Sequence, residues 1–501
     1  MLPFLLLSPL ALAAETPAPA RSVQLGAPAS ALTEHLWSSA DARVDLLLPP
    51  DFPVSTDLST TGQGPQVETR LRLGLAYERP RWSVGLEGDA FEFIAAGDPW
   101  DLDVPHANDR QTAGDLSTAF DLRRAALQAR LGPILVDAGL MTSHWGLGLV
   151  ANDGDHDPAF GKTEYGDRVM RLRGTTAPFG KGEVPLYLTL AGDAVVDDDT
   201  ATWTDGQRAY QGVAAVLYRK PKGPEAGVYG VLRRQTETLD HDRTTQVGLL
   251  DLYTSLPFTL GPGTLRLAGE AAAMKGETTR SRTYNSLAGL NLAAASAVTD
   301  LSYRVDDERY GLRLRGGWAS GDGDPDDDTS HDFTMDRDYD VGMVLFDQLM
   351  DGLEAGAYLQ LTDPTYAGAP PDGVDTLVNE GAARRLSYAQ PILEARPIPL
   401  LRMQAGMVFA WSSGPVGQPF ATYRNGGATA NAFGAPTEGY QLGSELDWGL
   451  ILGGEPIERG PLDLRPSVQL QGGHLVPSAN LVSGSEIERL SLYRLTARLQ
   501  W

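Results

Sequence analysis

The chain has 501 residues, of which 42% are hydrophobic and 21% charged, and a net charge of −24 with no cysteine. An acidic balance of that size excludes nucleic acid as a partner, since phosphate binding needs clustered Lys and Arg. The missing cysteines exclude a zinc–thiolate centre, a thiol nucleophile, a disulfide framework and an acylated lipoprotein cysteine.

Residues 1–14, Met-Leu-Pro-Phe-Leu-Leu-Leu-Ser-Pro-Leu-Ala-Leu-Ala-Ala, form a short apolar run ending in an A-x-A pattern. This reads as a secretory signal peptide cleaved after Ala13 or Ala14, although it lacks the basic n-region. Residues 15–35 read as an N-terminal periplasmic segment that could lie in a lumen. From residue 36 to 501, strand-like segments follow one another with no Pro/Ser/Gly linker, as expected of one large all-β unit. No run reaches the roughly 20 apolar residues of a spanning helix, so this chain crosses a membrane, if at all, only as a closed barrel.

Alternation carries the strand assignments, because successive strand side chains point to opposite faces. The first strand is expected near Ala42–Leu48. Leu71, Leu73, Leu75 and Tyr77 then oppose Arg70, Arg72, Gly74 and Ala76, and Leu186, Leu188 and Leu190 oppose Tyr187, Thr189 and Ala191. Leu353, Ala355, Ala357, Leu359 and Leu361 oppose Glu354, Gly356, Tyr358, Gln360 and Thr362, which predicts a strand over 353–362. Further strands are expected over 401–411, 440–452 and 462–470. At the end of the chain Tyr493, Leu495, Ala497, Leu499 and Trp501 face one way, and Arg494, Thr496, Arg498 and Gln500 the other.

Two features favour lipid over a soluble sandwich. Apolar faces run unbroken for five or six residues, which fits a hydrocarbon band crossed by about 9–11 tilted residues. Tyr77, Trp82, Trp318, Trp411, Tyr440 and Trp501 sit at strand ends, where an interfacial aromatic girdle belongs. Connections alternate as well. Short turns at 78–81, 131–133, 220–225, 306–308, 350–352, 395–398 and 454–460 alternate with long polar loops at 49–65, 95–117, 145–165, 197–207, 319–337, 364–379, 413–436 and 475–488. The expected fold is a single closed antiparallel transmembrane β-barrel of about 18–20 strands, with short periplasmic turns and long external loops.

The terminal strand ending on Trp501 resembles the C-terminal assembly signal of outer-membrane barrels, which implies the barrel-assembly machinery as a partner. Ser143-His144-Trp145-Gly146-Leu147-Gly148, followed by Asn152-Asp153-Gly154-Asp155, resembles a loop entry of large porin-like barrels. Trp318-Ala319-Ser320-Gly321-Asp322, Asp338-Tyr339-Asp340-Val341-Gly342 and Leu345-Phe346-Asp347 are similar to the alginate-export type. The resemblance implies a Gram-negative outer-membrane barrel, set in lipid and lipopolysaccharide, that passes solutes through a charged lumen. The loops here are more acidic than export of an anionic polysaccharide would suggest.

The inward faces carry Arg70, Arg72, Arg124, Arg130, Arg171, Arg173, Arg266, Arg313, Arg315, Arg402, Arg465, Arg494 and Arg498, with the carboxylates Glu87, Asp137, Asp193, Glu270, Glu354, Glu445 and Asp447. Fixed charge in a wet lumen sets ion preference and aligns polar solutes. The plainer reading is that these groups pair across the wall and brace it. Asp322, Asp324, Asp326 and Asp328, alternating on a Gly-rich loop, could offer oxygens to calcium, as could Asn152–Asp157. No full EF-hand spacing is present, and a solvated acidic loop is the simpler account. Seven histidines, among them His106, His144, His156, His241, His331 and His474, come without a nucleophile motif, so no enzyme is expected. The function expected is a channel for small polar or charged solutes. The alternative is a scaffold or adhesin displaying long acidic loops around an occluded lumen.

Overall fold

A computed structural model describes residues 23–24, 36–57, 60–100, 102, 104, 120–162, 166–179, 184–237, 243–280, 289–305, 309–324, 327–366, 374, 377–458 and 463–501. The signal-peptide reading of 1–14, nearly all of the 15–35 segment, His106, His241 and Asp326 lie outside the described residues.

Eighteen long antiparallel strands close on themselves. In chain order they are β1 (Leu36–Leu48), β2 (Gln66–Arg79), β3 (Trp82–Gly97), β4 (Phe120–Leu131), β5 (Ile134–Thr142), β6 (Arg168–Thr176), β7 (Leu186–Asp198), β8 (Gln207–Arg219) and β9 (Glu225–Glu237). Then come β10 (Thr244–Leu260), β11 (Gly263–Thr278), β12 (Leu290–Val305), β13 (Tyr310–Ala319), β14 (Leu386–Ile398), β15 (Leu401–Ser412), β16 (Gln441–Gly453), β17 (Asp463–Pro477) and β18 (Leu490–Gln500). Each pairs with the next. The seam is β1 against β18, with Ala42 opposite Leu499 and Val44 opposite Ala497.

Alternation explains which face is which. Leu73, Leu190, Leu232, Leu312 and Leu495 remain exposed on the outer face, Leu232 at 75%. Their neighbours Arg70, Asp193, Gln235, Arg315 and Arg494 are buried on the inner face. In water an outer band of leucine would be costly. Against hydrocarbon it is the matched surface. Trp82, Trp318, Trp411 and Tyr440 stay exposed at strand ends, and Tyr77 packs on Trp82 at 5.7 Å.

Eighteen strands fall within the expected range of about 18–20, but the strand expected over 353–362 is not one of them. It is helix α1 (Asp351–Thr362), continuing a π-helical turn at Leu345–Met350. The apolar positions that alternate along it also satisfy a helix buried all round, and Leu, Ala, Glu and Gln favour one. Packing decides: a Cβ on Gly352 would stand 2.8 Å from the Phe52 ring, and one on Gly356 2.9 Å from the Val54 carbonyl oxygen. The loops expected at 319–337 and 364–379 are therefore parts of one excursion, 320–385, between β13 and β14. Its buried Met343, Leu345, Phe346, Leu349 and Leu353 form one apolar cluster with Val298, Leu386, Ile392 and Val408 of the inner wall. Residues 333–362 of the excursion therefore fold inward.

Candidate functional site

The inner wall carries a row of arginines along β1, β2, β4 and β18, set among the carboxylates of Asp41, Asp45, Glu87 and Asp89. Arg43 of β1 stands opposite Arg70 of β2 on one side and Arg498 of β18 on the other, so three arginines form one cross-strand row. Like charges placed directly opposite are destabilising unless countered. Asp41 and Asp45 counter them: Arg43 lies 2.9 Å from Asp45, and Arg498 Nε donates to Asp41 at 2.9 Å. Arg70 meets Asp41 at 3.7 Å, and its buried Nε and Nη1 make no hydrogen bond among the described residues. On β4 the pairing with β3 shifts register at Glu87/Gly88. That bulge turns the adjacent Arg123 and Arg124 toward the same interior, as bulges do.

Segment 143–167 descends from the end of β5 and crosses this space. Asp155 gathers the strip: its Oδ1 accepts from Arg72 at 2.7 Å and Arg123 at 2.8 Å, and its Oδ2 from Arg124. Burial alone would raise its pKa. The guanidinium groups of Arg123, Arg124 and Arg72 outweigh that and hold the carboxyl well below the usual range. Trp145 stacks on Tyr229 at 5.1 Å and donates to Asp251 at 2.9 Å, while the Leu147 amide donates to Glu270. Phe160 is buried against Gly406, where a Cβ would come within 2.9 Å of its ring, and Gln404 donates to the Ala159 carbonyl. The segment thus touches the β4, β9 and β15 regions of the wall, narrowing the lumen.

The 320–385 excursion narrows it from another side. Glu445 of β16 accepts backbone N–H bonds from Met343 at 2.6 Å, Val344 at 2.8 Å and Leu345 at 2.8 Å. Gly342 (φ +135°) lets the carboxylate approach, since a Cβ there would stand 3.1 Å from Glu445 Oε1. The two inward segments also hold each other. The Asn152 amide donates to Asp336 at 2.9 Å, and the Gly166 amide to Asp338 at 2.6 Å. Burial pushes Asp336 and Asp340 well above the usual carboxylate range. Asp347 rises to about 7 through burial and then Glu445. Asp199 also reaches about 7, its burial outweighing Arg337. A wall rich in arginine, itself partly countered by Asp41, Asp45, Glu87 and Asp89, therefore faces inward segments rich in carboxyl groups.

Several inward arginines pair with wall carboxylates: Arg171 with Asp193 at 2.7 Å, Arg173 with Asp137 at 2.9 Å, and Arg313 with Asp300. Arg266 donates to Ser255 at 2.8 Å. Arg315 donates to Gln390 at 3.0 Å and lies over the Tyr339 ring at 5.1 Å. Arg130, Arg402 and Arg465 sit toward the short-turn end, Arg130 exposed. Glu354 is inside the barrel on α1, paired with Arg384, and not on a strand. Glu445 and Asp447 are fully buried on β16. Alternation missed Arg123, which the bulge reorients, and Arg43, on a strand with weak patterning. The Arg123–Arg124 doublet was the available signal.

For the acidic loop, the Asp322 carboxylate accepts from the Asp324 amide at 3.1 Å, and the Asp322 amide donates to Asp332 at 2.7 Å. Among the described residues, the ligand atoms that converge belong elsewhere, to His144, Asp153 and His156, and to Asp167, Asp199 and Asp336.

No protein-family model matches the chain, and no curated protein matches it. Solved structures do. The chain is similar to OccAB1 of Acinetobacter baumannii, with a TM-score of 0.51 and 12% identity over 93% of this chain and 96% of that one. It is similar to OccD3 (OpdP) of Pseudomonas aeruginosa, with 0.51 and 13% over 96% and 94%. It is also similar to a BenF-like porin from Pseudomonas fluorescens, with 0.50 and 11% over 93% and 98%. At such identities the likeness is one of fold: the closed barrel is of the outer-membrane porin kind.

Proposed function

We propose that this chain is an outer-membrane channel passing small polar or charged solutes. The observation that carries the reading is the row of arginines on β1, β2, β4 and β18 facing carboxyl-rich segments folded into a closed barrel. Guanidinium groups stay charged and offer forked donors. A solute carboxylate or phosphate that displaces Asp155 would meet the same donors that Asp155 uses. The short similarities to alginate-export barrels fall on or beside the 320–385 excursion. Its many carboxyl groups favour a small solute over a polyanionic chain. Catalysis has no part in this reading.

The exposed leucine band and aromatic strand ends support a barrel set in outer-membrane lipid beside lipopolysaccharide, and residues 1–14 would be removed as a signal peptide. Strand β18 with Trp501 is the segment that the assembly machinery would take. The protein should fractionate with outer membrane and migrate heat-modifiably in detergent gels, and deleting Trp501 should block assembly.

Conduction is the deciding experiment. Reconstituted protein in planar bilayers should carry current, and Arg70→Gln with Arg315→Gln should shift the reversal potential toward cations. A second reading, an occluded scaffold displaying its loops, draws on the apolar cluster that seats α1 inside the barrel. Folded protein that conducts at no salt concentration would favour it.

A further inference from the structure

Segment 143–167 holds a side-chain cluster that the channel reading does not use. His144 and His156 stack with ring centroids 4.3 Å apart and planes 30° apart. Both point a nitrogen at one oxygen: Asp153 Oδ1 lies 3.0 Å from His156 Nδ1 and 3.6 Å from His144 Nδ1. One ligand atom from each residue falls within 4.8 Å of the others. The side chains are buried, His144 to 5% exposure, Asp153 to 7% and His156 to 16%. His144 Nδ1, the nitrogen turned toward Asp153, has no hydrogen-bond partner among the described residues. Buried polar nitrogens are rarely left so, because each costs about 1–3 kcal/mol.

The loop is built to hold this arrangement. Gly148 (φ +82°) allows the return turn, where a Cβ would stand 2.7 Å from Asn152 Nδ2 and 3.5 Å from His144 Cε1. The Asp155 amide donates to Asp153 Oδ1 at 3.1 Å, and Arg123 donates to the Asp153 carbonyl. The nearest cation to the Asp153 carboxylate outside the pair of rings is Arg124, 3.9 Å from Oδ2. Arg124 is engaged with Thr142 at 2.9 Å and with Asp155, so Asp153 keeps charge for another cation.

From this geometry we infer that His144, Asp153 and His156 form a site for a divalent transition metal, which clips the two limbs of the inward segment together. Two imidazole nitrogens and one carboxylate oxygen suit Zn²⁺, Co²⁺, Ni²⁺ or Cu²⁺, and leave a further position for solvent or a solute donor. Calcium and magnesium, which take mostly oxygen ligands, fit this donor set poorly. The inference does not depend on whether the barrel conducts.

Calorimetry with Zn²⁺ on the folded full-length protein, carrying no polyhistidine tag, tests it directly. One equivalent should bind, and Co²⁺ in its place should give the visible absorption of a nitrogen-ligated ion. His144→Ala and His156→Ala should each weaken binding by more than the roughly 10–100-fold that loss of a supporting partner costs. Asp153→Asn should act likewise. Heat-modifiable migration serves as the folding control, and the two histidine variants decide the matter if Asp153→Asn fails to fold. Absence of Zn²⁺ binding by folded protein, or binding unchanged in the double histidine variant, would overturn the site and leave a hydrogen-bonded trio.

Discussion

The two segments that enter the barrel are held there by different forces. Segment 143–167 adds to the burial of Trp145, Leu149 and Phe160 a set of charge ties: Asp155 to three arginines, Asp157 to Arg498, and Lys162 to Glu68. Segment 320–385 is seated chiefly by apolar burial, with Leu345, Leu349 and Ala355 fully buried, and is tied further by Glu445 at the Met343–Leu345 amides and by Arg337 to Asp199. Charge ties are partly exposed and feel salt and pH. Apolar seating feels volume. The same barrel thus carries one segment that salt can loosen and another whose apolar seating salt leaves in place.

The largest effect should come from Glu445→Ala. Three buried amides lose their acceptor, at about 1–3 kcal/mol each. Hydrogen exchange at Met343–Leu345 should accelerate by at least roughly a hundred-fold, with 152–157 changing far less. Equal acceleration in both segments would erase the distinction. Next, Leu349→Ala should destabilise the seated excursion by about 2–5 kcal/mol, visible as a lower protease-resistance midpoint that is the same at low and high salt. A smaller effect is expected of Asp155→Asn. Breaking a fully buried ion pair costs about 3–5 kcal/mol, and the 21% exposure of Asp155 reduces that here. Arg72, Arg123 and Arg124 would lose their shared counter-charge, so the reversal potential should move toward anions, most clearly at low salt. An unchanged potential would mean that the strip does not face the conducting path.

The mildest test uses pH. Asp347 faces Glu445, Asp447, Asp338, Asp340, Asp351 and Arg494. Its folded value, about 7, lies above the ordinary 3.8. The folded state therefore holds the proton more tightly, and the associated stability is complete below 3.8 and lost as pH rises through about 7. Protection at residues 343–350 should fall over that window, and Asp347→Asn should flatten the fall.

The strands were legible because lipid on one side and a charged interior on the other enforce period two. Leu71–Tyr77 and Tyr493–Trp501 read correctly for that reason. Helix α1 was not legible, because its all-round burial removes the polar face that distinguishes a helix from alternation. Arg123 was lost to a bulge, a property of pairing with β3 whose trace in β4 is the Arg123–Arg124 doublet. The meeting of Asp155 with Arg72, Arg123 and Arg124 joins residues 83, 32 and 31 positions apart, a convergence no local pattern contains.

The seam between β1 and β18 has a kinetic consequence. Trp501 and Ala40 exchange backbone hydrogen bonds of 3.1 and 3.0 Å, and Arg498 reaches Asp41 across a separation of 457 residues. Bringing such distant segments together from an open chain would cost roughly 5 kcal/mol in loop closure, more than one bridge returns. The seam should therefore form last, after neighbouring strands have zipped and shortened the gap. Until that moment two strand edges stay unpaired, each a template for the wrong neighbour. The rate at which that last gap shuts, more than the final stability of the barrel, then decides how many chains arrive.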